Sequence, residues 1–155
     1  MNIFRSLGVG HFTWNGPMLR SLQDAVNNAV VLCIDDDPAI LECEKRFLEI
    51  FGYRVLTALS GRKGLELASV NSVDVVVVDY CMPEMNGVEV AIGIKRLRPH
   101  APIIMLSSAV DVPKQALNAV DAFVAKDRLG SQLLPVIAEL HKGGGSMTAR
   151  PPFYD

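Results

Sequence analysis

Apolar residues gather into five short runs along the middle of the chain: Val30–Ile34, Tyr53–Thr57, Asp74–Val78, Ile103–Leu106 and Ala122–Val124. Several are β-branched and apolar at consecutive positions instead of alternating, as strands covered on both faces of a parallel sheet read. Segments of helical period lie between them. The clearest starts at Asp37, a residue type that caps helices, continues with Pro38 at the first helical position, and is closed by Gly52. Ile40, Cys43, Phe47 and Phe51 form its expected apolar stripe, with Glu42, Lys45, Arg46 and Glu49 toward water. Ser60 can cap a second helix through Val70, weakened by Gly61 and Gly64. Gly87–Leu97 and Val112–Val120 predict a third and a fourth. Leu129–His141 predicts a fifth, with Leu133, Ile137 and Leu140 inward. Pro135 puts the start of its regular part near Ser131, with the proline in the first turn.

Strand and helix thus alternate five times, which predicts an α/β fold: a doubly wound five-stranded parallel sheet with five helices on its two faces. Sheets of this kind bind ligands beyond the C-terminal ends of their strands. Outside the alternating region, residues 1–29 read as an N-terminal extension with the only tryptophan, Trp14, and a short helix around Leu19–Val26. Residues 142–155 open with Lys142-Gly143-Gly144-Gly145-Ser146 and read as a flexible tail.

Composition narrows the class without naming a chemistry. Half of the 155 residues are hydrophobic and 21% are charged, enough for one domain with a substantial core. A net charge of −2 gives no electrostatic reason to expect direct nucleic-acid contact or an acidic lipid surface. No apolar run approaches the roughly 20 residues that span a bilayer. The N-terminus lacks a secretion-signal pattern, because Gly8, Gly10, His11, Asn15, Gly16 and Pro17 interrupt it. Cys33, Cys43 and Cys81 are odd in number and lack metal-ligand spacing, which fits a reducing compartment. The expected location is cytoplasmic. His11, His100 and His141 fall outside any catalytic pattern.

The chemistry lies just past the strands. Val31-Leu32-Cys33-Ile34 runs into Asp35-Asp36-Asp37, and Val75–Val78 runs into Asp79. Ile103–Leu106 runs into Ser107-Ser108, and Phe123-Val124-Ala125 into Lys126. A parallel sheet delivers all of these to one edge. Carboxylates gathered there repel one another unless a cation is bound, and an all-oxygen set suits a hard divalent ion such as Mg2+. Asp79 supplies an oxygen nucleophile able to form an aspartyl phosphate. An ammonium and a hydroxyl, Lys126 and Ser107, fit the charge of a transferred phosphoryl group. Taken singly, the same residues have plainer readings. Asp37 fits a helix cap better than a metal ligand, and Asp35 and Asp36 alone would read as turn residues. Ser107 alone is a strand-end hydroxyl, and Lys126 alone a surface lysine.

Val31–Pro38, Asp79-Tyr80-Cys81-Met82-Pro83-Glu84-Met85-Asn86-Gly87, Pro102–Ser108 and Asp121–Lys126 closely resemble, in order and spacing, the receiver domains of two-component response regulators. The resemblance covers residues 30–141 and implies a single-domain, flavodoxin-like receiver with strand order 2-1-3-4-5. It implies that Asp79 is the phosphoacceptor and that Asp36 binds Mg2+ directly, with Asp35 acting largely through water. The Cys81 carbonyl is implied as a further metal ligand, and Lys126 as the partner of the phosphoryl group. Ser107 and Phe123 are implied as the switch residues, although Phe123 reads equally well as plain core. The implied partners are a sensor histidine kinase or phosphotransfer protein and an unidentified output protein. That output would dock on the fourth helix, fifth strand and fifth helix, with no nucleic acid or membrane contact, the chain being a monomer or weak homodimer. The sequence departs from the pattern at Asp127, where a proline usually follows the lysine, and at Phe123, where many members have tyrosine. Two other functions remain open: a phosphorylation-independent adaptor, and a haloacid-dehalogenase-like phosphatase using Asp35-Asp36-Asp37.

Overall fold

The computed structural model describes residues 29–108 and 112–142. Five parallel strands form one sheet: β1 (Val30–Ile34), β2 (Arg54–Ala58), β3 (Val75–Asp79), β4 (Ile103–Ser107) and β5 (Ala122–Ala125). Their order is β2-β1-β3-β4-β5. The helices are α1 (Pro38–Ile50), α2 (Gly61–Val70), α3 (Gly87–Leu97), α4 (Lys114–Leu117) and α5 (Leu129–Lys142), the last preceded by a 3-10 turn at Lys126–Arg128. The expected fold class and strand order are those observed. The expected short helix at Leu19–Val26 and the glycine-rich tail from Gly143 onward lie outside the described residues.

Both faces of the sheet are covered, which is why the strands read as continuous apolar runs. Successive side chains alternate between faces. Val31, Cys33, Val75, Val77, Ile104 and Leu106 pack with Leu41 and Leu48 of α1 and Leu133 and Ile137 of α5. Their neighbours Leu32, Ile34, Val76, Val78 and Ile103 pack on the other face with Ala68 of α2 and Val90, Ala91 and Ile94 of α3. Close approach on that second face explains a glycine that costs helix propensity: a Cβ on Gly64 would overlap the Ile34 side chain.

Aspartates do structural work at the opposite end of the sheet from the candidate site. The Asp74 carboxylate accepts a 2.7 Å bond from the Val30 amide, and that of Asp121 accepts a 2.7 Å bond from the Ile103 amide. Asp121 also pairs with Lys95 at 2.8 Å. Each aspartate's own amide bonds back to the same residue's carbonyl, so both clamps set the start of a strand pair. Arg98, just past α3, donates to the carbonyls of Ala68 and Asn71, both at 2.9 Å, and thereby caps the C-terminal end of α2.

Five sequence expectations need correction. β2 begins at Arg54, because the Tyr53 amide bonds back to Leu48 at the end of α1, and β3 begins at Val75, because Asp74 is engaged as a clamp. The buried stripe of α1 is Leu41, Glu44 and Leu48, with Phe47 and Phe51 at its margin, whereas Cys43 is exposed and Ile40 half-buried. Packing of Leu41 and Leu48 against the sheet carries Glu44 inward between them. The fourth helix has four residues in place of nine expected, since Pro113 opens it without a side-chain cap and the chain turns at Asn118. Pro135 lies within α5, which starts at Leu129, not near Ser131. The proline is exposed, so the carbonyl one turn earlier, at exposed Ser131, can turn to water. Among the described residues no helix is long and apolar enough to cross a membrane.

Arg98→Ala is expected to lower the free energy of unfolding by about 1.5–3 kcal/mol, the range for hydrogen bonds from a charged donor. Urea denaturation should show a lower midpoint with an unchanged slope.

Candidate functional site

The strand order reverses between β1 and β3, and the crevice at that reversal is where open α/β sheets bind ligands. Asp35 follows β1 directly and Asp79 is the last residue of β3, so the two carboxylates flank it. Asp35 is 1% exposed, Asp79 5% and Ser107 2%, all low values for polar side chains. The Asp35 Oδ1 accepts from the Asp37 amide at 2.9 Å. Asp37 itself accepts from the Ala39 amide at 2.8 Å, so it is the cap of α1.

Lys126 arrives from the end of β5 and joins the two halves of the crevice. Its Nζ lies 2.6 Å from Asp35 Oδ2 and 3.1 Å from Asp79 Oδ1. Burial disfavours the lysine's charge, but hydrogen bonds to Asp35 and then Asp79 outweigh it and raise its pKa. Asp79 is also pushed above the ordinary carboxylate value, chiefly by burial and further by the negative charges of Asp35 and Asp36, with Lys126 opposing the rise. Local carboxylate charge therefore exceeds what one ammonium offsets. Ligand oxygens of Asp35, Asp36 and Asp79 all lie within 4.8 Å of one another, a donor set that can hold a small hard cation.

The cleft over these groups has a volume of ≈ 520 Å³, with Cys81, Ser107 and Ser108 also on its walls. All the site residues expected from sequence except Phe123 line it. Cys81 presents an exposed thiol. Phe123 stands on the edge strand β5 in register with Met105, is half-buried, and belongs to neither apolar cluster of the described residues. Ser108, next to Ser107 in the chain, carries no role in the sequence pattern and lies on the cleft wall. After Lys126 the chain enters the 3-10 turn with Asp127 exposed.

The loop from β3 to α3 folds tightly back on Asp79. The Gly87 amide donates to the Tyr80 carbonyl at 2.9 Å. A Cβ on Gly87 would sit 2.5 Å from the Asp79 carbonyl oxygen and 2.9 Å from the Tyr80 Cα, both backbone atoms that cannot yield. Glu84 completes the turn with φ of 65°, a left-handed conformation uncommon outside glycine. Asn86 and Glu89 then cap α3 reciprocally.

Residues 31–137 match the family model described as the response regulator receiver domain. The transcriptional regulatory protein KdpE of Mycobacterium tuberculosis is 39% identical over 100 residues, covering 63% of this chain and 44% of KdpE. PrrA of the same organism, also a transcriptional regulatory protein, is 30% identical over 128 residues, covering 81% of this chain and 55% of PrrA. The chain thus spans about half the length of these curated relatives. Among solved structures, a CheY-like receiver domain protein from Methanospirillum hungatei superposes with a TM-score of 0.72 at 30% identity, covering 76% of this chain and 97% of that one. TrrA of Thermotoga maritima, solved in complex with Mg2+ and BeF, gives a TM-score of 0.69 at 30% identity, covering 72% and 98%.

Mg2+ is expected to raise the melting temperature, with stabilisation of about 1.4 kcal/mol at ten times its Kd, and Asp36→Asn should weaken the response. Differential scanning fluorimetry over a Mg2+ series measures both. Gly87→Ala is expected to destabilise the chain by about 1–3 kcal/mol through the backbone overlap and to weaken Mg2+ binding along with it. The same series on that variant is the check.

Proposed function

The chain belongs to the response regulator receiver domain family of two-component signalling, and on that premise we propose that Asp79 accepts a phosphoryl group from the phosphohistidine of a sensor kinase or phosphotransfer protein. Receiver domains are signalling domains, phosphorylated on aspartate in a Mg2+-dependent way. The observation that carries the assignment here is the pairing of Lys126 with both Asp35 and Asp79 inside one acidic cleft. A carboxylate oxygen of Asp79 attacks phosphorus as the bond to the donor nitrogen breaks, giving an acyl phosphate. Lys126 pairs with the new phosphoryl oxygens and Ser107 donates to one of them, both from positions fixed by strand ends. Asp36, Asp79 and the Cys81 carbonyl would hold Mg2+ directly and Asp35 through water; the ion supplies positive charge against the phosphoryl oxygens.

In this reading residues 30–141 are the receiver unit, with residues 1–29 and 142–155 outside it. Movement of Ser107 toward the phosphoryl group gives Phe123 a new packing choice. Its place outside both apolar clusters of the described residues supports a switch role over a plain core role. The partner that reads the switch would meet α4, β5 and α5, and a cytoplasmic location follows from the proposed kinase pairing. The adaptor alternative has no feature of the site in its favour, since a partly buried group of three carboxylates is costly to keep without a cation. The family match leaves the phosphatase alternative without support.

Incubation with Mg2+ and acetyl phosphate is expected to add one phosphoryl group to the wild-type chain and none to Asp79→Asn, read by intact-protein mass. Addition that persists in Asp79→Asn would move the acceptor elsewhere. Absence of addition both from acetyl phosphate and from phosphorylated histidine kinases would favour the adaptor.

A further inference from the structure

One ionisable side chain takes no part in the chemistry above and is buried as deeply as the core. Glu44 lies on the inner face of α1 between Leu41 and Leu48, and is 1% exposed. Among the described residues, neither of its carboxylate oxygens has a hydrogen-bond partner. The Cys33 thiol of β1 is close enough to favour the charged form slightly, but it does not reach the oxygens at hydrogen-bonding geometry. Leu133 and Ile137 of α5 belong to the apolar cluster that this side of the sheet shares with α1. Such a pocket accepts a neutral carboxylic acid at far lower cost than an unpaired carboxylate, which there is strongly unfavourable.

We infer that Glu44 is a proton-controlled latch on α1: protonated, it lets the helix bed against β1, and ionised, it must reach water and loosens the helix from the sheet. The consequence extends to the cleft, because α1 starts at Pro38, directly after the Asp35–Asp37 turn. Helix and turn are held to one another by the Asp37 cap, so a shift of α1 moves the backbone that carries Asp35 and Asp36.

The electrostatic surroundings set where the latch operates. Burial raises the Glu44 pKa first, and the negative charge of Asp35 adds to it, reaching about 7 from an ordinary 4.5. The Asp79 charge also raises it, while Cys33 and Lys126 pull it down. Tyr53, in the same cluster, has its phenol pushed further up by burial and stays neutral in this range. A carboxyl with a raised folded pKa contributes its full stability below the unfolded value of 4.5 and loses it as pH rises through about 7. The latch is therefore closed in mild acid and opens across neutrality. It does not depend on the phosphorylation reading, and EDTA keeps metal out of its test.

The experiment uses the full chain in EDTA. Carboxyl carbon NMR should give a Glu44 titration midpoint near neutrality; a midpoint in the ordinary glutamate range overturns the proposal. The wild-type melting temperature should fall by several degrees between about pH 5.5 and 8, with much of that slope absent in Glu44→Gln. Parallel profiles for the two proteins overturn it. Should Glu44→Gln fail to fold, Glu44→Met, which keeps the volume and loses the charge, carries the comparison and should melt higher than wild type at about pH 8. Hydrogen exchange, corrected for intrinsic rates, should show α1 amides losing protection at high pH ahead of β3 amides in the wild type alone. Loss shared equally by both elements overturns a local latch.

Discussion

Two ion pairs made by one lysine hold the working end of this molecule together. Asp35 and Asp79 end adjacent strands, and a parallel sheet offers no way to separate them, so their mutual repulsion is built into the topology. Lys126 comes from β5, two strands away from β3, and reaches across the end of β4 to both. Burial and the neighbouring carboxylates raise the Asp79 pKa, and that single ammonium opposes the rise only in part. The remaining imbalance of charge is what makes the cleft receptive to a divalent cation.

The two ends of the sheet use the same residue type for opposite purposes. At the start of β1 and β4, the carboxylates of Asp74 and Asp121 are taken up by backbone amides at 2.7 Å and serve as fixed structural groups. At the other end, Asp36 is exposed and Asp79 shares its cation with Asp35. Engaged amides make a rigid frame, and partly satisfied carboxylates make a site. The frame is tightened by Arg98 across α2 and by the close approach of α2 to Ile34 at Gly64. Binding groups on strand ends gain precision from such a frame, because rigid elements hold them in place while the loops between can adapt.

Helix α1 connects the site to the core. Its first turn is set by Asp37, its last by Gly52 at a φ of 92°, and its inner face carries Glu44 among aliphatic side chains. That carboxyl lies behind the cleft, close enough for the charges of Asp35, Asp79 and Lys126 to act on it. A molecule that stores carboxylates at its sheet edge thus carries one more behind it, on the helix that leaves that edge.

The sequence by itself determined the architecture and which polar side chains gather at one edge of the sheet. Consecutive apolar runs alternating with helical segments could be satisfied only by a sheet covered on both faces, and strand-end residues Asp35, Asp79, Ser107 and Lys126 had to emerge together once the strands were parallel. Caps at Asp37 and Ser60 were equally local, since each acts within one turn of helix. Tertiary structure decided what depends on contacts distant in the chain. The pairing of Lys126 with Asp35 spans 91 positions, and no local pattern states which acid the lysine will choose. The rotation of α1 that buries Glu44 in place of Cys43 follows from packing against β1 and α5, where an acidic residue three positions after Leu41 is carried inward by its aliphatic neighbours. The proline inside α5 is likewise tolerated because that part of the helix faces solvent, which local propensity does not contain.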